Sequence, residues 1–287
     1  MFGPGIYEDI SNADYHADKA ISSTSLKKLL NATPAHFKYA LDNRETSDSD
    51  ALLRGSVLHA MLLEPDTLSA SFVFESHVIP DKTKLAKNGG GKETWDALKE
   101  KAQIRGLPLV KYDIYQDCIA MRDSVLAHPH WPNVKSHAKK EISLFAEING
   151  VRVKARYDAM LANMMIIDLK TSRNILTTGK IQSTIAELGY HFSAAMYTEV
   201  GKACGLPIDR FVWIFIESFA PYSARFVEAS EQMMEVGKSE FYKCLEKYKT
   251  CMQSSVWDAY SNDIDIVHLP NWYANKETLF EIEGIES

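Results

Sequence analysis

Cysteine is scarce in this chain, and its few copies do not form a metal-binding or disulfide pattern. No two of them make a C-x-x-C pair; they are Cys118, Cys204, Cys244 and Cys251. This scatter argues against a disulfide framework, a zinc ribbon or a four-cysteine iron–sulfur cluster. We therefore expect a protein of a reducing cytoplasm.

Long apolar runs and a targeting segment are also missing. No window approaches the ~18 apolar residues that a membrane-spanning helix needs, and the run from Phe211 to Ile216 fits a buried strand. The N-terminus, MFGPGIYEDISNADYH, lacks the basic and apolar regions of a signal peptide. We expect residues 1–287 to form one domain without a membrane partner, with an irregular arm over 1–20 and a mobile, glycine-rich loop over 81–92.

Positive charge is concentrated in one segment of an acidic chain. The net charge of −6 argues at first against a nucleic-acid partner. Residues 135–173, however, hold eight Lys/Arg and four Asp/Glu, a net +4 that leaves −10 for the rest of the chain. Such a patch can hold phosphates. A solvated charged face is the alternative, and charge alone favours it.

Hydrophobic periodicity predicts helices first and β-structure in the centre. Helices are expected after Ser22-Ser23, from Pro34 to about Asp42, after Ser49-Asp50, and over about 92–104 and 111–127, followed by a turn at HPHWPN. Strands are expected over 139–148 and 151–159, in MMIIDLK, in FVWIFIES and in SARFVEA, with helices over 189–204 and 230–249. This order predicts an α/β fold with a mixed central β-sheet flanked by helices.

The dipeptide Asn149-Gly150 predicts a two-residue hairpin turn, which sets the register of the strands around it. In that register Glu147 faces Arg152, a plausible salt bridge, and Glu141 faces Asp158. Like charges directly opposite one another destabilise a sheet, so two facing carboxylates favour a cation or a proton between them.

The next strand brings a third acid and a lysine to one face. In IIDLK, alternation puts Asp168 and Lys170 on the same side of an otherwise apolar strand. A hard divalent cation held by Asp158, Asp168 and Glu141 would satisfy all three acids, and Lys170 would orient or activate a water against phosphate. The alternative is a surface strand with an ordinary Asp–Lys ion pair, because the D-x-K pattern alone occurs by chance in many proteins.

An acid followed by D-x-K on a sheet resembles the PD-(D/E)XK nucleases. More specifically, the chain resembles the C-terminal nuclease of exonuclease VIII (RecE) and related prophage exonucleases. The resemblance runs through most of the chain, in the segments GPGIYEDISNADYHADKAISSTSLKKL, RGSVLHAMLLEP, VKARYD, IIDLKTS and GYHFSAAMY.

This resemblance implies a role for individual residues. His59 would lie beside the metal, Asp158 and Asp168 would bind it with the carbonyl of Leu169, and Lys170 would be the catalytic lysine. Other implied site residues are Glu141, on a strand that contributes an acid, and Tyr197, the tyrosine of a Q-x-x-x-Y motif. The DNA-binding residues expected are Arg152, Lys154, Arg156, Arg173 and Ser193. Ser193 stands where the motif has glutamine, which puts substrate positioning in doubt.

The leading hypothesis is a Mg²⁺-dependent exodeoxyribonuclease, with Mn²⁺ as a substitute, that degrades linear double-stranded DNA. The resemblance implies 5′ to 3′ digestion from DNA ends, a ring-shaped homo-oligomer, and a recombination role beside a single-strand annealing protein. Two alternatives stay open: a DNA-end-binding recombination module with weak catalysis, and a metal-dependent hydrolase of a small phosphoester.

Overall fold

The computed structural model describes residues 1–43, 49–75, 90–271 and 273, with only the backbone described over 90–95. The helices are α1 (Asn12–Ala17), α2 (Ser23–Leu26), α3 (Pro34–Asp42), α4 (Asp50–Leu63), α5 (Leu68–Ser71), α6 (Gly90–Arg105), α7 (Tyr112–Leu126), α8 (Trp131–His137), α9 (Thr178–Leu188), α10 (Tyr190–Ala203) and α11 (Glu231–Ser254). The strands are β1 (Gly5–Tyr7), β2 (Ile21–Ser22), β3 (Val73–Phe74), β4 (Leu109–Val110), β5 (Lys139–Ile148), β6 (Val151–Met160), β7 (Met165–Ser172), β8 (Arg210–Glu217) and β9 (Ala224–Glu228). Short 3₁₀ turns cover Lys27–Leu30 and Pro65–Thr67.

The main sheet is mixed and has the order β1-β5-β6-β7-β8-β9, with β2 added in parallel to β6. Strands β7 and β8 are parallel over their whole length, while β5–β6 and β8–β9 are antiparallel hairpins. A separate two-stranded sheet pairs β3 with β4. The predicted mixed sheet flanked by helices is confirmed.

Apolar side chains pack on both faces of the main sheet. One core joins the sheet to α2, α3 and the helices α9–α11, around buried residues such as Tyr157, Phe192 and Trp213. The other joins it to α4, α7 and α8, around residues such as Leu58 and Ile214. Burying both faces explains why β8 reads as the nearly continuous apolar run FVWIFI.

The predicted hairpin register is confirmed. Ile148 pairs with Val151, and the same register continues past Ser143↔Arg156 to Lys139↔Met160. The predicted starts of α3 and α4 are confirmed as well, because the hydroxyls of Thr33 and Ser49 accept hydrogen bonds from the first turns of these helices.

Other local expectations need correction. The arm expected to be irregular contains β1, which pairs with β5, and α1, which is capped by the Ser11 hydroxyl. The segment HPHWPN does not remain a turn, because α8 begins at Trp131, whose side chain is buried. Helix α9 was not predicted. The loop expected over 81–92 falls largely outside the described residues, and α6 already begins at Gly90.

Within the described part of the chain, each helix is too short or too polar to cross a bilayer.

Candidate active site

The candidate site lies at a fork between β6 and β7. These strands pair only through Ala159↔Ile167 and Met160↔Ile166. Beyond that point the backbone N–H of Leu169 donates to the side chain of Asp158 (2.6 Å to Oδ2) rather than to a carbonyl of β6. Strand β2 joins β6 further along, at Val153 and Lys154. The gap between β2 and β7 therefore leaves Asp158 at the mouth of the fork.

The alternation of side chains along the hairpin breaks at this fork. Tyr157 packs in one core and Ala159, two residues later, packs in the other. On the partner strand Glu141 has a φ of 52°, a left-handed conformation that is uncommon for a residue other than glycine. Such strained positions cluster at functional sites. The break turns both acids out of the regular pleat and toward the fork.

Two carboxylates and an imidazole converge there. Ligand atoms of His59, Glu141 and Asp158 all lie within 4.8 Å of one another, the one such group found among the described residues. His59 extends from α4, with Nδ1 3.6 Å from Asp158 Oδ1 and Nε2 3.3 Å from the carbonyl oxygen of Leu169. All three side chains are half-buried, so a small ion can reach them from solvent.

The electrostatics of this group suit a cation. Burial raises the pKa of Glu141, the neighbouring Asp158 carboxylate raises it further, and Arg156, 2.8 Å from Glu141 Oε2, opposes both. The candidate ligands are two carboxylates, one carbonyl and one imidazole. A set with three oxygen ligands and one nitrogen ligand fits Mg²⁺ or Mn²⁺. The residues present therefore fit the divalent metal that PD-(D/E)XK nucleases use.

Asp168, which is buried, and Lys170, which is half-buried, form an ion pair beside this cluster. Lys170 Nζ lies 2.5 Å from Asp168 Oδ2 and 3.4 Å from the carbonyl oxygen of Leu169. Burial raises the pKa of Asp168 against the effect of Lys170. Burial would lower the pKa of Lys170, but the Asp168 and Asp158 carboxylates outweigh it and raise that pKa. The carboxylates thus favour the charged form of Lys170, and Asp168 pairs with this lysine rather than with His59, Glu141 and Asp158.

Helix α10 covers the fork with the residues of the predicted Q-x-x-x-Y-like motif. Burial raises the pKa of Tyr197, and so do the Asp168 and Asp158 carboxylates. The Ser193 hydroxyl donates to the carbonyl oxygen of Gly189 (3.4 Å). Tyr190, the first residue of this helix, lies with its ring centroid 5.3 Å from Lys170 Nζ.

Two of the residues expected to bind DNA, Arg152 and Lys154, bond to the N-terminal arm. Arg152 donates to the carbonyl of Phe2 and pairs with Asp18, not with Glu147. Lys154 is buried and donates to the carbonyls of Tyr15 and Asp18. These cations satisfy carbonyls and a carboxylate that are distant in sequence, a use that charge patterning cannot reveal.

Arg156 is half-buried and bonded within the protein, whereas Arg173 is exposed. The Arg156 guanidinium joins Glu141 to the carbonyl of Ile10, so its role is to hold an acid of the cluster. Arg173 is exposed just past the end of β7. Lys27, which approaches the same Tyr190 ring as Lys170, was missed, and its only sequence signal was its place in the matching segment ISSTSLKKL.

A mixed sheet with a forked centre, an acid on one strand and D-x-K on the next defines the PD-(D/E)XK nuclease class. The chain belongs to the family described as a PDDEXK-like domain of unknown function (DUF3799), which matches residues 22–270.

One solved structure shares the fold. A protein from Eubacterium rectale named as a candidate exonuclease is similar at a TM-score of 0.63 and 12% identity, over 93% of this chain and 98% of its own. The structure of SSO0001 is similar over 70% of this chain and 94% of its own, at 15% identity and a TM-score of 0.27. No curated protein sequence matches the chain.

Proposed function

We propose that this protein is a metal-dependent exodeoxyribonuclease that degrades linear double-stranded DNA in the 5′ to 3′ direction. The observation that carries the proposal is the convergence of His59, Glu141 and Asp158 within 4.8 Å beside the Asp168–Lys170 ion pair. The likeness of the chain to exonuclease VIII and its membership of a PDDEXK-like family support a DNA substrate.

Each side chain has a distinct task in this proposal. Asp158, Glu141, His59 and the Leu169 carbonyl would hold Mg²⁺ or Mn²⁺, with Asp168 joining them if Lys170 releases it. The bound cation supplies positive charge at the scissile phosphate and lowers the pKa of a bound water. Lys170 would donate to a phosphate oxygen as negative charge develops there, and Asp168 would orient the ammonium.

Cellular context follows from the same resemblance. We propose a cytoplasmic protein that acts as a homo-oligomeric ring on DNA ends and passes single strands to an annealing protein for recombination. The four cysteines are free, which suits a reducing compartment. Light scattering on the purified chain tests the oligomer, and a monomer at working concentration would contradict the ring.

The decisive assay compares linear duplex with covalently closed circles, with Mg²⁺, with Mn²⁺ and with EDTA. We expect loss of linear DNA that depends on the metal, and intact circles. Duplexes labelled at the 5′ or the 3′ end give the polarity from the first products. Equal cleavage of circles would contradict the exonuclease, and full activity in EDTA would contradict the metal. Binding without cleavage would favour the DNA-end-binding module. Hydrolysis restricted to small phosphoesters would favour the metal-dependent phosphoester hydrolase.

A further inference from the structure

Lys27 is a second cation at the fork, and the inference drawn from it rests on the proposed nuclease function. Strand β2 pairs with β6 and is followed at once by α2. Lys27 is the first residue of the 3₁₀ turn that continues α2. Chain topology thus brings a residue from the N-terminal segment to the side of the Asp168–Lys170 pair.

One tyrosine ring locates Lys27 relative to the catalytic lysine. Lys27 Nζ lies 5.7 Å from the centroid of the Tyr190 ring, and Lys170 Nζ lies 5.3 Å from the same centroid. The two ammonium groups are therefore at most about 11 Å apart. Both distances fall within the range in which a cation is attracted by the face of an aromatic ring.

The charge of Lys27 is not matched by an acid. Its ammonium donates to the carbonyl oxygen of Leu188 (2.8 Å), and no salt bridge joins it to any residue that the structure describes. An ammonium has three donors, so two remain for a ligand. Asp168, the acid that raises the pKa of Lys27, is already paired with Lys170. Burial lowers the pKa of Lys27 and the charge of Lys170 lowers it further, as expected for a cation without its anion.

Lys27 also borders the position where the related enzymes have glutamine. A Cβ added at Gly189 would lie 3.5 Å from Lys27 Cδ, and the same Gly189 provides the carbonyl that Ser193 contacts. His191, two residues before Ser193, is bonded to Glu240 and so does not replace that glutamine. We propose that Lys27 is a substrate-binding residue that donates to a DNA phosphate oxygen beside the scissile phosphate, where Ser193 is too short to reach.

The test is Lys27→Met, with Lys28→Met as the matched control because Lys28 is the exposed neighbour. Binding of a short fluorescent duplex is measured by anisotropy in EDTA between about 50 and 200 mM salt, where each phosphate contact contributes roughly 0.9 to the slope of log affinity against log salt. We expect Lys27→Met to reduce that slope by about one contact and to raise KM about tenfold in Mg²⁺. Lys28→Met should leave both unchanged, and Lys27→Arg should keep most of the slope.

A structural role for Lys27 predicts a different result. If Lys27 only caps the Leu188 carbonyl at the end of α9, its replacement should lower the melting temperature and leave the salt slope unchanged. That outcome, or a Lys27→Met variant with unchanged slope and KM, would overturn the inference. Wild-type protein that binds duplex but never cleaves it would refute the proposed nuclease, while the slope still reports on Lys27.

A double-mutant cycle tests the link to Ser193. If Lys27 supplies the donor that glutamine would, Ser193→Gln should raise kcat/KM of Lys27→Met by more than it raises that of the wild type. An equal fold-change in the two backgrounds would show that the positions act independently and would overturn the shared role.

Discussion

Two lysines on neighbouring strands, the buried Lys154 and the half-buried Lys170, have the same surroundings in outline and opposite uses. Lys154 on β6 lies over the Tyr15 ring (4.6 Å) and donates to two backbone carbonyls. Lys170 on β7 lies over the Tyr190 ring and pairs with the Asp168 carboxylate. Neutral carbonyls fix Lys154 as an anchor for the N-terminal arm. Lys170, in contrast, pairs with a carboxylate that lies beside further acids. It stays half-buried at the mouth of the fork, where a phosphate can reach it.

The comparison explains why a basic segment is a poor guide to a DNA surface. The +4 segment includes Arg152, Lys154 and Arg156, yet each of them is bonded within the protein. What matters is the partner of each cation, since a charge that is already satisfied has little left to offer a phosphate.

Turnover should separate the two lysines most strongly. We expect Lys170→Met to reduce kcat by about 10²–10³-fold, the cost of removing one donor from a developing oxyanion. Lys154→Met should keep most of its activity well below its melting temperature, because its ammonium faces the arm. Initial rates on linear duplex in saturating Mg²⁺ measure both, and equal losses would erase the distinction.

Stability should respond at both lysines, for different reasons. Lys154→Met leaves the Tyr15 and Asp18 carbonyls without their donor, and we expect a loss of about 3 kcal/mol in the free energy of unfolding. Lys170→Met leaves the buried Asp168 unpaired, at a similar cost of about 3 kcal/mol. Adding Asp168→Asn should recover part of that second loss and none of the first. Urea unfolding in EDTA measures each variant, and a gain for Asp168→Asn in the Lys154→Met background would contradict the scheme.

Asp158 should show a smaller effect that depends on the replacement. Asp158→Asn removes a charge beside Glu141 but keeps an oxygen that can accept the Leu169 N–H, so the metal-free protein should gain about 1 kcal/mol. Asp158→Ala loses that acceptor as well and should not gain. Thermal melts in EDTA compare the two, with catalysis abolished in both. A large loss for Asp158→Asn would indicate a structural role for its charge.

The smallest expected effect is a pH dependence from Glu141. Its pKa is raised in the folded protein, so the folded state holds a proton that the unfolded state releases at lower pH. The metal-free protein should therefore lose stability as pH rises above the ordinary value of 4.5. Glu141→Gln should flatten this part of the curve. Parallel urea titrations in EDTA give the two slopes, and identical slopes would show that Glu141 does not titrate in this window.

Several features of the site were open to prediction because they are local. Asn149-Gly150 favours one turn geometry, and a slip of one residue would send every apolar side chain of the hairpin to the wrong face. That constraint was enough to predict the Ser143↔Arg156 register and to bring Glu141 near Asp158. The alternation of IIDLK likewise placed Asp168 and Lys170 together.

The grouping of the acids could not be predicted in the same way. Regular alternation treats β5 and β6 as flat, whereas the left-handed Glu141 and the fork at Asp158 break the pleat. As a result Glu141 joins His59 and Asp158, and Asp168 is held by Lys170. Periodicity averages over a strand and so cannot report a break at one residue.

The sequence by itself determined which residues could do chemistry: the acids, the D-x-K lysine, the histidine on an amphipathic helix and the strand order that links them. Only the tertiary structure decided which cations remain for a substrate. The N-terminal arm, more than a hundred residues away in the chain, accepts hydrogen bonds from Arg152, Lys154 and Arg156. The same end of the chain places Lys27 at the fork. The physical reason is that the availability of a charge depends on its nearest partners in space, which sequence spacing does not specify.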